Sequence, residues 1–382
     1  MTPAEGLVCA IIRGDATSWS LSDDNSLDQL VKVAFHHNLH LILYDIIRKS
    51  PAWGRWPPRL REKLKKEAVT AAILDLIGER ELRRVLIRLH ECGIQPLLLK
   101  GVPLAYSLYR SPSLRPRADT DLLIRDSDLR SVARTLMELG YSGPDAQTGN
   151  LTSYQCLYRR KDSFGVDHYL DVHWKINDAQ LFAKTFTFDE LSAEAIKIPA
   201  LASCARGLGY THAFLLACMH RFGHAHAPFY VDGKPVYAGD HLRWVYDIHL
   251  LCSALNTGEW SEFAALARKK GIAQFCIDGL NAAREAFNAQ IPDDTIDSLL
   301  TAADNEGASV QKLRTSPAVW FLTNLRALPN LGQRIALTKQ VILPPSAYMM
   351  EKYQTRNWLA LSFLYVCRSV LGIFKWLKRS KR

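Results

Sequence analysis

Asp119 and Asp121 place two carboxylates two positions apart, just ahead of the apolar Leu122, Leu123 and Ile124. On a strand alternate side chains share a face, so both acids project the same way. Neighbouring carboxylates in a dry cleft repel one another. A hard divalent cation such as Mg²⁺ relieves that repulsion while taking its remaining ligands from water and phosphate oxygens. An Asp-x-Asp pair by itself is more often a solvated strand end, so its neighbours carry the argument. Lys100 and Gly101 stand where the leucine run 97–99 gives way to a helix, setting an ammonium and helix N-terminal amides against an anion. Arg115 and Arg117 lie immediately upstream of the acidic pair, and residues 169–174 bring Asp171 and His173 onto one face of a second strand. Three carboxylates opposite an anion site are the set that a two-metal phosphoryl transfer uses.

The elements that must hold these residues follow from periodicity. Apolar residues at helical spacing predict helices over 27–48 and 59–91, closed by Cys92 and Gly93. A buried strand is expected over 97–99, and a helix with Pro103 in its first turn over 102–110. The proline-punctuated loop 111–117 leads to a strand at 119–124, a helix over 126–139 stopped by Gly140, and two strands, 153–160 and 169–176, around a turn at 161–165. Beyond 207 the pattern is helical again, over 211–221, 242–255, 260–270, 275–287 and 316–328. The fold class is therefore α+β: a small α/β core flanked by helical N-terminal and C-terminal regions. The expected division is 1–93, a helical region; 94–205, the core; 206–351, a helical domain; and 352–382, a basic amphipathic helix.

The ordered combination of leucine strand with Lys100 and Gly101, helix with Tyr106 or Tyr109, Arg117 before Asp119 to Leu123, Gly140 with Tyr141, and Asp171 to Trp174 resembles the uncharacterised bacterial nucleotidyltransferases of the DNA polymerase β superfamily. The resemblance is close over 94–176 and looser at the 36–39 and 242–247 segments. It implies a polymerase-β-like core and a metal-dependent nucleotidyltransferase. Such an enzyme moves a nucleoside monophosphate from a nucleoside triphosphate, ATP among them, to an acceptor hydroxyl and releases pyrophosphate. On that reading Asp119 and Asp121 hold Mg²⁺ (or Mn²⁺), and Asp171 completes a second metal site and accepts the hydroxyl proton. Lys100, the amides after Gly101, and Arg117 grip the phosphates. His173 polarises the acceptor or makes a half-buried hydrogen bond. One departure is that Lys100, Gly101 and Val102 stand where most of the superfamily has Gly-Ser or Gly-Gly, so no hydroxyl is offered to the terminal phosphate. The acceptor, whether small molecule, peptide or protein, or tRNA, has no motif. The competing reading is a non-catalytic nucleotide-binding or scaffold protein docking through its basic C-terminal helix. Three mutually repelling carboxylates argue against it.

Other signals have plainer readings. His220 and His224 have i, i+4 spacing that zinc accepts, but no H-E-x-x-H and no cysteine cluster accompanies them, so packing or substrate contact is expected. Arg243 and Asp247, at the same spacing, predict an intrahelical ion pair. Motifs for P-loop, Rossmann and serine-hydrolase chemistry are absent. The eight cysteines form no C-x-x-C pair, and the first residues lack a basic leader, so a reduced cytoplasmic setting is expected. The 382 residues carry a formal charge of +10, yet 352–382 holds eight basic residues and no acidic one. Leu359, Phe363, Val366, Val370, Ile373 and Leu377 make an apolar stripe along that tail. It is too short in uncharged length to span a bilayer, but suited to packing on the helical domain, to peripheral contact with the anionic inner membrane surface, or to RNA contact.

Overall fold

The computed structural model describes residues 1–15, 24–143, 149–226, 229–231, 234–236, 239–306 and 317–379. Four helices come first: α1 (Pro3–Arg13), α2 (Asp24–His36), α3 (His40–Ile47) and α4 (Pro58–Glu91). α1 was not expected, although Thr2 and Glu5 cap it reciprocally through each other's backbone N–H. The helix expected over 27–48 is two, because Asn38 takes φ 54° and turns the chain between α2 and α3. α4 runs as predicted, and Gly93 ends it at φ 77°.

A six-stranded mixed sheet follows: β1 (Leu97–Leu98), β2 (Thr120–Leu123), β3 (Gln155–Lys161), β4 (Asp167–His173), β5 (Ile196–Lys197) and β6 (Arg206–Gly207), in the order β3-β4-β2-β1-β6-β5. The first four lie within a few residues of expectation. β5 and β6 were missed, since strands of two residues are too short to show alternation, and they carry the sheet to Gly207, past the expected boundary at 205. β2 runs antiparallel to β1 and parallel to β4, while β3 and β4 form a hairpin. α5 (Gly101–Ser107) follows β1, and α6 (Leu129–Glu138) links β2 to the hairpin. A short helix, α7 (Phe188–Ala193), precedes β5.

The sheet separates two cores. On one face Leu98, Leu122, Leu170 and Val172 pack with Leu82, Val85, Leu86 and Leu89 of α4 and Val132 and Leu136 of α6. On the other, Leu97, Leu99 and Leu123 join a larger core. That core contains Val8, Leu30 and Leu43 from the first helices. It also contains residues of α8 (Tyr210–His226), α9 (Leu242–Ala254), α10 (Thr257–Lys270), α11 (Ala273–Phe287) and α12 (Asp293–Asn305), Phe214, Ile248, Phe263, Leu280 and Leu299 among them. The N-terminal and C-terminal helical regions thus share one interior against the sheet.

Four further helices, Pro317–Ala327, Leu331–Ile342, Ser346–Lys352 and Trp358–Arg379, complete the described chain. The basic helix starts at Trp358 rather than at 352, where a separate short helix ends, and residues 380–382 lie outside the described residues. Leu361 is its buried contact, while Leu359, Phe363 and Val366 face outward. No helix among the described residues is long and apolar enough to cross a membrane.

Candidate active site

The parallel register of β2 and β4 sets Asp121 beside Asp171 and Leu123 beside His173. Alternation then puts Asp121, Asp171 and His173 on the face that looks toward the large core. His173 Nε2 bridges the two acids, 2.9 Å from Asp121 Oδ1 and 3.3 Å from Asp171 Oδ2. Lys100 Nζ donates to the same Asp121 Oδ1 at 2.6 Å. Lys100 occupies the junction between β1 and α5 with φ 51° and ψ −113°, a conformation that costs a non-glycine residue about 1–3 kcal/mol. Gly101 follows because the Arg115 guanidinium lies against it, and any Cβ there would collide with Nη1. Asp119 stands one residue before β2, at the mouth of the site.

The charges reinforce one another. Burial would raise the Asp121 carboxyl, but Lys100 and His173 outweigh it and hold that carboxyl well below the usual range. Burial opposes the Lys100 ammonium, yet Asp121, Asp171 and Asp119 raise its pKa overall. His173 is likewise raised against burial by its bonds to Asp121 and Asp171. Asp119 is pushed up by desolvation of its carboxyl and by the adjacent charge of Asp121. Asp171 Oδ1 is buried with no hydrogen-bond partner, an orphan acceptor on a residue of the acidic cluster. Asp121, Asp171 and His173 can each offer a ligand atom within 4.8 Å of the others, and the two carboxylates are the oxygen donors that a hard divalent cation takes.

Of the residues singled out in the sequence, Lys100, Asp121, Asp171 and His173 meet directly, Gly101 and Asp119 border them, and Arg117 stands aside. Its guanidinium pairs with Asp75 of α4 and lies over the Tyr106 ring. Both Arg117 and Asp119 line a cavity of about 500 Å³ between α4 and the starts of β2 and β4. Arg243 and Asp247 do not pair with each other as expected. Asp247 is buried and takes a bidentate bond from Arg115 (2.8 and 2.6 Å) and the Tyr109 hydroxyl (2.6 Å). Arg243 instead donates to the Pro116 carbonyl at 2.9 Å, keeps a buried, unpartnered Nε, and has its pKa lowered by burial and by Arg115.

Sequence reasoning missed Asp178, whose carboxyl burial pushes up and which accepts the Tyr154 N–H at 2.6 Å beside the His173 and Asp171 charges. It lies in an irregular segment past β4, where spacing carries no signal. His220 and His224 pack ring to ring at 4.4 Å and both sit on Trp244. Burial and the Lys100 charge keep both neutral, and they join no metal-ligand group among the described residues. A second such group, His36, His37 and His241, does form, but His37 already uses both ring nitrogens, toward Glu5 and the Leu242 N–H.

A family described as uncharacterised nucleotidyltransferase matches residues 23–288, well over half of the chain and the whole of the site. No curated protein matches the chain.

Proposed function

As the chain belongs to this uncharacterised nucleotidyltransferase family and is therefore a transferase of phosphorus-containing groups, we propose that its centre is the cluster of Lys100, Asp121, Asp171 and His173. Asp119 and Gly101 stand at its rim. The reaction transfers a nucleoside monophosphate from a nucleoside triphosphate to an acceptor hydroxyl, with pyrophosphate leaving. The observation that carries this reading is the register of β2 and β4, which aligns Asp121 with Asp171 and leaves Asp171 Oδ1 without a partner. Asp119, Asp121 and Asp171 would hold Mg²⁺ or Mn²⁺. When bound, the cation neutralises phosphate charge and polarises the α-phosphoryl oxygens.

The chain's own residues supply the rest. Asp171 Oδ1 accepts the proton of the acceptor hydroxyl as its oxygen bonds to the α-phosphorus and the bond to the β-phosphate breaks. Lys100, released from Asp121 once that carboxylate is otherwise neutralised, turns its ammonium toward the triphosphate. His173 holds the two carboxylates in register through Nε2. Arg243, with its free Nε beside Asp119, is a phosphate contact that compensates for the missing hydroxyl at 100–102. Arg117 contributes from the 500 Å³ cavity, where it shapes the acceptor side. Positioning and charge neutralisation suffice for this chemistry, so no nucleophilic side chain is needed.

The test is label transfer from each α-labelled triphosphate, with Mg²⁺ and cell extract. Asp121→Ala and Asp171→Ala should each lower transfer by more than the 10–100-fold that follows loss of an outer-shell partner. Full transfer by either variant would remove the assignment.

A further inference from the structure

We propose that residues 317–379 form a module that docks the enzyme, without insertion across the bilayer, on a membrane surface rich in anionic phospholipid. Residues 317–382 hold eleven Lys and Arg against a single acid, Glu351, whereas residues 1–316 hold 37 basic and 37 acidic side chains. The whole formal charge of +10 therefore resides in residues 317–382, and +8 of it within 317–379.

Its packing sets it apart as well. None of its described residues belongs to either core of the enzyme body. It buries a few side chains of its own, Leu328, Leu337, Met349 and Leu361. Polar bonds attach it to the body: Leu151 N–H donates to Gln340 Oε1 at 2.9 Å, Gln340 Nε2 to Asn150 Oδ1 at 2.7 Å, and Leu181 N–H to Asn324 Oδ1 at 3.3 Å.

The outward faces are apolar. On helix Leu331–Ile342, Leu331 (70% exposed), Ile335 and Ile342 recur at i, i+4 and i+11. On the adjoining helix Trp358–Arg379, Leu359 (83%), Phe363 (68%) and Val366 form a second stripe beside exposed Trp358. In the sequence the apolar spacing continues at Val370, Ile373 and Leu377, with Lys375, Lys378 and Arg379 among them. Aliphatic stripes flanked by cations on helices that cannot span a bilayer are the chemistry of an interfacial anchor. A second copy of this chain would bring two strongly cationic modules together. RNA would satisfy the cations but leave Leu331, Ile335, Leu359 and Val366 in water.

Flotation of the full chain with liposomes tests this. The expected result is co-flotation with vesicles of 70% phosphatidylcholine and 30% phosphatidylglycerol, and none with phosphatidylcholine alone. Binding should weaken roughly fivefold for each charge removed in Lys375→Gln and Lys378→Gln. Leu359→Gln with Phe363→Gln, at exposed positions that leave circular dichroism unchanged, should abolish it. Absence of co-flotation, equal binding to neutral vesicles, binding indifferent to the stripe variants, or displacement of vesicles by total tRNA at equal charge would each overturn the proposal.

Discussion

At the residue scale, Lys100 explains how two acids can sit side by side before any substrate arrives. Its ammonium and the His173 imidazole stabilise Asp121 and Asp171 against mutual repulsion, and the positive φ of Lys100 is the local cost of reaching them. Lys100→Ala should therefore lower the melting temperature of metal-free protein, and millimolar Mg²⁺ should restore more of it than it adds to wild type. A ligand at 100 times its Kd adds about 2.7 kcal/mol. Differential scanning calorimetry with and without Mg²⁺ reads this, and equal Mg²⁺ shifts in both proteins would contradict it. His173→Asn, which loses the bridge between the acids, should weaken Mg²⁺ binding by about 10–100-fold in titration calorimetry. The acids were legible in the sequence because strand alternation is a strict period of two. Neither the Lys100–Asp121 bond nor the departure of Arg117 toward Asp75 was legible, because both depend on which distant helix faces the loop.

At the scale of elements, the site is assembled by register on one side and by a tether on the other. β2 and β4 align the acids, and α9 is held over them by Asp247, whose carboxylate is shared by Arg115 and Tyr109 in a fully buried cluster. Replacing Asp247 with Leu strands the Arg115 guanidinium in the interior and should cost about 3–5 kcal/mol in urea unfolding. Adding Arg115→Met and Tyr109→Phe should return most of that stability, since the cluster then becomes apolar throughout. Periodicity found α4, α9, α10, α11 and the first four strands. It could not find β5, β6 or the 317–352 helices' relation to the body, where elements are short or held by single polar bonds. It also misjudged Arg243 and Asp247, because i, i+4 proximity yields to a better partner brought by the fold.

At the scale of the whole molecule, the shared interior of N-terminal and C-terminal helices makes residues 94–205 an incomplete folding unit. Expressed alone, that segment exposes Leu97, Leu99, Leu104 and Leu123 and should lack a cooperative thermal transition. Acid should loosen the same interior. His37, His40, His212, His220, His224, His241 and His249 are all held neutral chiefly by burial, His241 down to about 4. A folded pKa below the unfolded one means that the unfolded chain binds more protons, so stability is complete above about pH 6.5 and falls as pH drops toward 4. His241→Gln should flatten part of that slope in melting temperature between pH 6.5 and 5.

The confinement of charge to residues 317–382 has a practical corollary at the bench. The intact chain should bind a cation exchanger at neutral pH, whereas a form clipped near 316, with 37 charges of each sign, should pass through it. Retention on such a column thus monitors proteolysis of the tail during purification. The flow-through fraction would be nearly isoelectric at neutral pH and prone to precipitate, although it keeps the whole family-matched region 23–288.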